Sequence, residues 1–240
     1  MAEEYSFPGW EEKIKNVLDE FGGEIMTTYR GKDITVLHDS SGGMLTSSSK
    51  FLYSAPKIEK IVFATQCYRE KLMTYTCSIW PENEYALPIY STFWAESKKG
   101  SYFLLDLYPQ TDCICDLEYL DQYLMCLEEA YEKGLQDFNK KVVRDPHWFK
   151  ALVSPFYITA DFTPSTKESQ GRVIETMTDY LAQYVQLWKN DEPRSPEYMK
   201  PLLERKEAIR ECLKVNDPGG FMLEKAVGKE LADLHLEVLF

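Results

Sequence analysis

The chain has 240 residues, a formal net charge of −12, and a composition that is 44% hydrophobic and 14% aromatic. This length suits a single domain with a substantial core, and the negative charge argues against nucleic acid as a partner because phosphate backbones repel acidic proteins. No apolar run approaches the roughly 18 residues that a membrane-spanning helix needs, and no signal-peptide pattern is present.

The first part of the chain is predicted to be a helix followed by short strands. Apolar residues recur at helical spacing over Trp10–Phe21, and two glycines end the pattern. Alternation within residues 24–38, most clearly at 34–37, predicts strands. The Ser- and Gly-rich residues 40–49 predict a flexible connection.

The middle of the chain has the composition of an antiparallel sheet. Four segments rich in β-branched and aromatic residues are interrupted by turn signals, at residues 58–63, 72–80, 87–95 and 102–107. Strands that follow one another with short turns pair as an antiparallel meander. A further strand is predicted at residues 153–162.

Long amphipathic patterns after the strands predict four helices, at residues 117–139, 166–188, 197–215 and 221–234. Strands in the middle with helices before and after them favour an α/β (α+β) fold, a three-layer α/β/α sandwich with a central antiparallel sheet. We expect one domain over residues 1–235. Residues 236–240 match the start of a protease cleavage site used in expression vectors, so we treat them as a possible vector remnant.

The cysteines and histidines do not predict a metal site. The six cysteines form no Cys-x-x-Cys pair, and the three histidines do not supply the missing ligands. Free thiols are typical of a reducing compartment, so we expect a cytoplasmic protein.

Three stretches of sequence, in a fixed order, carry a resemblance to a known family. The first, residues 54–61, is a Pro-Lys entry to a central strand. The second, residues 79–90, combines an aromatic-Pro pair, an acidic turn and a Leu-Pro pair, and residues 104–109 continue it as Leu-Asp-x-x-Pro. The third, residues 216–230, places Asp217 at a turn before a short helix. Together they resemble the ferredoxin-dependent bilin reductases, which include phytochromobilin synthase.

The resemblance implies both a fold and a reaction. It implies an α/β/α sandwich that holds a linear tetrapyrrole of the biliverdin type between the sheet and the C-terminal helices. Reduced ferredoxin would be the external donor of single electrons, and the protein would supply protons to bilin radicals without a metal or flavin. If the source is eukaryotic, the resemblance implies a location in the plastid stroma, with a transit peptide that is absent from this sequence.

The resemblance also assigns positions for proton transfer, and two of them are altered here. Many members carry Asp at the position of Phe93, and an acid or His at the position of Thr76; neither residue found here is a proton donor. Asp217 remains as the catalytic candidate, and Asp106 and Glu96 are nearby acids that could replace the missing ones.

Other residues are candidates for binding the substrate. Thr76 and Phe93 are expected to face the pocket, and Lys150, Arg144 and Arg210 are candidates to pair with the bilin propionates. Two clusters could form a basic patch for ferredoxin: one at Lys57, Lys60, Arg69 and Lys71, the other at Lys140, Lys141 and Arg144.

Alternatives to a bilin reductase stay open at this stage. The altered acid positions also suit a non-catalytic tetrapyrrole-binding protein on the same scaffold, or an activity like that of red chlorophyll catabolite reductase. The strong net acidity also suits an unrelated interaction module.

Overall fold

The computed structural model describes residues 10–138, 145–163 and 165–240. Its strands, in chain order, are β1 (Glu24–Ile25), β2 (Thr28–Tyr29), β3 (Lys32–Asp33), β4 (Ser40–Gly42), β5 (Leu45–Ala55), β6 (Ile58–Tyr68), β7 (Leu72–Pro81), β8 (Ile89–Ser97), β9 (Gly100–Tyr108) and β10 (Ile158–Phe162). The helices are α1 (Trp10–Phe21), α2 (Leu117–Tyr123), α3 (Glu128–Asp137), α4 (Lys167–Asn190), α5 (Pro196–Asn216), α6 (Pro218–Val227) and α7 (Lys229–Leu239).

The long strands β5 to β9 form an antiparallel meander in which each pairs with the next. β1 and β4 pair with β5 on one side, and β10 pairs with β9 on the other. β2 and β3 form a separate hairpin. The meander predicted from the alternating segments is therefore present. β6, β7 and β9 are longer than the sequence pattern indicated, and β8 has the predicted length but lies two residues further along the chain.

Helices pack on both faces of this sheet. Successive side chains of a strand point to opposite faces, so neighbouring residues of β6 join different clusters. Phe63 packs in the cluster that contains Tyr180 and Tyr184 of α4, whereas Val62 packs with Val238 of α7. The predicted class of helices with an antiparallel sheet is confirmed.

Two predictions near the start of the sheet were wrong. Thr35–Leu37 is a 3-10 helix rather than part of a strand, because the Asp33 carboxylate accepts hydrogen bonds from both the amide (2.9 Å) and the hydroxyl (2.7 Å) of Thr35 and so bends the chain. The serine-rich segment at 40–49 contributes β4 and the first half of β5 instead of a flexible connection, because sheet pairing overrides low strand propensity.

Three later elements differ in extent from the prediction. The helix predicted at 117–139 is divided into α2 and α3 by a 3-10 helix at Met125–Leu127. The helix predicted at 221–234 is divided into α6 and α7 at Gly228, whose φ of 82° favours glycine. The strand predicted at 153–162 begins only at Ile158.

Residues 236–240 pack as part of the fold. Val238 is fully buried, Lys60 Nζ donates a hydrogen bond to its carbonyl (3.0 Å), and Arg210 Nε donates to the carbonyl of Phe240 (2.6 Å).

None of the helices in the described part of the chain combines the length and apolar character of a membrane span.

A buried charge cluster fastens α5 to the start of β6. Glu59 lies 3.0 Å from both Lys206 Nζ and Arg210, and it accepts a hydrogen bond from the Tyr29 hydroxyl (2.8 Å). Although burial opposes ionisation, the two cations lower the pKa of Glu59 from 4.5 to about 2. Because the folded-state pKa is lowered, this stabilisation is present above about pH 4.5 and is lost as the pH falls toward 2.

We expect Glu59→Gln to lower the free energy of unfolding at pH 7 by about 3 kcal/mol, because it removes the carboxylate that pairs with the buried Lys206 and leaves the buried Arg210 with Glu207 alone. Urea unfolding should show this difference, and the difference should shrink as the pH falls below 4.5. Glu175→Gln is the control, because Glu175 forms an exposed pair with Lys133 and should change stability little. Equal effects of the two substitutions would contradict this account of the cluster.

Candidate functional site

A cavity of about 370 Å³ lies between one face of the sheet and the C-terminal helices. Its floor consists of alternate residues of four adjacent strands: Gln66 and Tyr68 of β6, Leu72, Thr74 and Thr76 of β7, Ser91, Phe93 and Ala95 of β8, and Tyr102, Leu104 and Tyr108 of β9. Its cover comes from Pro146, Trp148 and Phe149, from Leu213, Asp217, Gly219 and Met222 at the α5–α6 junction, and from Leu239 and Phe240. A cavity of this size with a mainly apolar wall is typical of small-molecule sites.

Thr76 and Phe93 lie side by side on this floor. They are direct cross-strand partners in β7 and β8, and Leu104 of β9 is opposite Phe93 on the next strand. Opposite residues in an antiparallel pair lie on the same face, so both side chains line the cavity. The structure thus brings together the two altered positions singled out in the sequence.

Asp217 reaches the same cavity from the helical side. It ends α5 and is the N-cap of α6, where its carboxylate accepts a hydrogen bond from the amide of Gly219 (3.0 Å). Asp at the N-cap followed by Pro at the first helical position is a favoured helix start, which explains why the sequence turns here. Burial raises the pKa of Asp217, against the opposing effects of the Gly219 amide and the Lys50 charge.

Lys50 is a buried neighbour of this acid that the sequence did not reveal. It lies on β5, is almost fully buried, and donates a hydrogen bond to the carbonyl of His235 (2.9 Å). Burial lowers the pKa of Lys50 to about 7, and Asp217 acts against this shift. The Ser- and Gly-rich pattern at residues 40–49 predicts a flexible connection, so it does not indicate that the next residue, Lys50, is buried.

Asp106 is next to residues that line the cavity but does not line it itself. It sits on β9 between the lining residues Leu104 and Tyr108, but it is fully buried and accepts hydrogen bonds from the amide (2.7 Å) and the hydroxyl of Ser154. Its cross-strand partner Ser91 does line the cavity. Burial raises the pKa of Asp106 to about 7, despite the hydrogen bonds from Ser154 that favour the charged form.

The structure does not bring Glu96 to the cavity. Glu96 follows Ala95, a lining residue, so its side chain points to the opposite face of the sheet. There it is buried and accepts a hydrogen bond from the Ser165 hydroxyl (3.2 Å). The expectation that Glu96 replaces a missing acid therefore fails on geometry, because it was based on distance along the chain and ignored strand alternation.

The three cations expected to bind propionates have different placements. Arg210 is buried, pairs with Glu59 and Glu207, and lies over the ring of Trp80. Its guanidinium group is therefore engaged within the fold and not available to a propionate. Lys150 is exposed in the 3-10 helix Phe149–Ala151 beside the lining residue Phe149. Arg144 lies outside the described residues.

The first basic cluster predicted for ferredoxin does not form one patch. Lys57 and Lys60 lie at the start of β6, whereas Arg69 and Lys71 lie beyond its other end. Lys60 is buried, and Lys57 Nζ donates hydrogen bonds to the carbonyls of Trp188 (3.0 Å) and Asp191 (2.6 Å) at the end of α4. Lys140, Lys141 and Arg144 lie outside the described residues.

The cavity also has polar residues that the sequence did not single out. The Tyr68 hydroxyl donates a hydrogen bond to Gln66 Oε1 (3.3 Å), and Gln66 Nε2 is buried without a partner in the described structure. Only the strand register shows that these side chains share a wall with Thr76. Over the residues that the structure describes, His, Cys, Asp and Glu side chains form no group of three or more suited to a metal ion.

Comparisons with known proteins fit this geometry. The family model for ferredoxin-dependent bilin reductase matches residues 28–240. The fold is similar to that of tomato phytochromobilin synthase, solved in complex with biliverdin, with a TM-score of 0.77 and 16% sequence identity over 95% of this chain and 80% of that chain. A search of curated proteins finds no match. With the family model covering most of its length, the chain belongs to the ferredoxin-dependent bilin reductase family.

Proposed function

We propose that this protein reduces a linear tetrapyrrole of the biliverdin type, using ferredoxin as the electron donor. Reduction of one double bond takes two electrons and two protons. In this proposal each reduced ferredoxin gives one electron to the bound pigment, and the protein gives a proton to the radical that results. The reaction uses no resident metal or flavin.

The observation that carries the proposal is the convergence of Asp217, Thr76 and Phe93 on one cavity. The wall around them is mostly apolar and aromatic, which suits the faces of a flat conjugated pigment. The structurally similar tomato enzyme was solved with biliverdin, and this supports the choice of pigment.

Asp217 is the proposed donor of the first proton. Burial raises its pKa and so favours the protonated carboxyl, the form that a general acid needs. The helical cover above the sheet limits access of water, so that protonation occurs where the carboxyl lies and not at random. Thr76 and Phe93 contribute shape and contact but no proton.

Asp106 is the proposed reservoir for the second proton. Because burial raises its pKa to about 7, about half of the Asp106 carboxyl is still protonated at pH 7, whereas an exposed aspartate is almost fully ionised there. Its cross-strand partner Ser91 and its near neighbour on β9, Tyr108, both line the cavity and carry hydroxyl groups. Lys150, exposed beside Phe149, is the proposed partner of a propionate at the mouth of the cavity.

A second candidate function is binding of a linear tetrapyrrole without reduction. The observation that favours it is the absence of an ionisable group at Thr76 and Phe93, which leaves Asp217 as the one carboxylate among the residues that line the cavity in the described structure.

A two-step experiment distinguishes these functions. Purified protein is first titrated with biliverdin while absorbance is recorded, and is then incubated with reduced ferredoxin under anaerobic conditions, with oxidised ferredoxin as the control. The proposal predicts a shifted pigment spectrum followed by conversion to a reduced bilin that depends on reduced ferredoxin. A spectral shift with no product would favour the binding protein, and no shift at all would reject both.

A further inference from the structure

Two neighbouring hairpin turns place four cations at one end of the sheet. The turn between β6 and β7 carries Arg69 and Lys71, and the turn between β8 and β9 carries Lys98 and Lys99. All four residues are exposed. Leu72 and Ser97 are cross-strand partners, so the two turns lie next to each other. We call these four residues the basic turn pair.

The first of these turns is held in a conformation that its residues do not favour. Arg69 and Glu70 both have positive φ angles, 52° and 54°, and the Lys71 amide closes the turn by donating a hydrogen bond to the Tyr68 carbonyl (3.0 Å). Asn and Gly adopt such angles more easily than Arg and Glu. The Arg69 amide donates a hydrogen bond to the Met44 carbonyl (2.9 Å), and the Glu70 amide donates to the Thr46 hydroxyl (3.2 Å). The neighbouring β4–β5 hairpin therefore fixes a strained turn with a cation where glycine would fit more easily, a pattern that points to function.

The charge of this surface differs from that of the whole chain. The protein carries a net charge of −12, yet Glu70 is the one acid within these two turns. In the described part of the chain, Lys71, Lys98 and Lys99 form no salt bridge, so their charges are directed to solvent. An exposed basic surface of this kind steers acidic partners.

The basic turn pair also adjoins the cavity. Tyr68 and Leu72 flank the first turn, Ala95 lies three residues before Lys98, and all three line the cavity. At about 3.3 Å per residue along a strand, the lining begins within roughly 10 Å of these cations. A partner docked on the turns would hold its redox centre near the end of the pigment space.

From this combination of charge, rigid presentation and position, we propose that the basic turn pair is the docking surface for ferredoxin, an acidic one-electron donor. The inference rests on the proposed function for its purpose, but ferredoxin binding can be measured without turnover.

The test compares two triple variants with the same change in net charge. Lys71→Glu/Lys98→Glu/Lys99→Glu reverses the charge of three of the four residues of the basic turn pair. It leaves Arg69 and its backbone contacts unchanged. The control, Lys189→Glu/Lys200→Glu/Lys229→Glu, reverses the charge of three exposed lysines on α4, α5 and α7. Circular dichroism and thermal unfolding first establish that both variants are folded.

Binding of an acidic plant-type [2Fe–2S] ferredoxin is then titrated at low ionic strength. We expect the turn variant to bind at least about 10-fold more weakly than the control variant, with an unchanged affinity for biliverdin. In an anaerobic assay its KM for ferredoxin should rise by the same factor, while reduction of bound biliverdin by a photoreduced deazaflavin, a small donor that needs no docking surface, should not change.

Equal ferredoxin affinities for the two variants would overturn the inference, and so would a wild-type protein that binds no ferredoxin. Failure of the proposed function looks different. In that case ferredoxin still binds through the three lysines, but neither ferredoxin nor deazaflavin reduces the bound pigment.

Discussion

Replacing Asp217 with Asn is expected to lower the rate of biliverdin reduction by about 100-fold, the lower end of what a positioned general acid contributes. The amide cannot give up a proton on the timescale of the reaction. Asn is as good an N-cap as Asp, so α6 should keep its start and the dissociation constant for biliverdin should change by less than about 3-fold. Anaerobic single-turnover kinetics and an absorbance titration measure the two quantities.

Asp116→Asn is the matched control for this substitution. Asp116 is also an N-cap, and its carboxylate accepts a hydrogen bond from the Tyr119 amide at the start of α2 (2.9 Å), but it does not line the cavity. Its substitution should leave the reduction rate unchanged. If Asp217→Asn reduces biliverdin as fast as Asp116→Asn, Asp217 is a structural cap and not a proton donor.

The pH dependence of the reaction also tests whether Asp217 is the proton donor. Because burial raises the pKa of Asp217, its carboxyl stays protonated to higher pH than an exposed aspartate, and the rate should fall as the pH rises through that value. In Asp217→Asn the remaining rate should lose this dependence. A fall that persists near pH 7 in the variant is the behaviour expected if Asp106 supplies the second proton.

Filling the cavity with Ala95→Trp should raise the dissociation constant for biliverdin by at least about 100-fold, equivalent to about 2.7 kcal/mol. Ala95 is part of the floor, and its cross-strand neighbours Thr74 and Tyr102 line the cavity as well. An indole at this position would occupy the space that the pigment needs, and a large aromatic residue is compatible with a strand.

Ala208→Trp provides the control for added bulk. Ala208 is exposed on α5 and does not line the cavity, so this variant should bind biliverdin as the wild type does. Thermal unfolding of both variants shows whether Ala95→Trp remains folded. Unchanged biliverdin binding by a folded Ala95→Trp protein would mean that the pigment binds elsewhere.

Much of the sheet could be predicted because its signal is local. Alternating β-branched and aromatic residues between short turns indicated β6 to β9. That Thr76, Phe93 and Asp217 face one pocket was implied by the family resemblance, and the strand register, in which Thr76 and Phe93 are cross-strand partners, agrees with it. The N-cap character of Asp217 was visible for the same reason: Asp-Pro before a helix is a short-range pattern.

The remaining parts of the site depend on contacts between distant residues. Glu96 is one residue from the cavity lining, yet alternation directs it to the other face. Arg210 looked available as a surface cation, but it is enclosed by Glu59, which lies 151 positions earlier in the chain. Lys50 gave no signal because its partners, the His235 carbonyl of α7 and the Asp217 carboxylate, lie at the other end of the sequence. No local pattern reports such pairings.

The most direct test of the central claim is a crystal structure of the protein with biliverdin. We predict that the pigment lies between the sheet and the α5–α6 junction, in contact with Thr76 and Phe93 on one side and with the Asp217 carboxyl on the other. A pigment bound outside this cavity, or bound within it with Asp217 turned away toward solvent, would contradict the account.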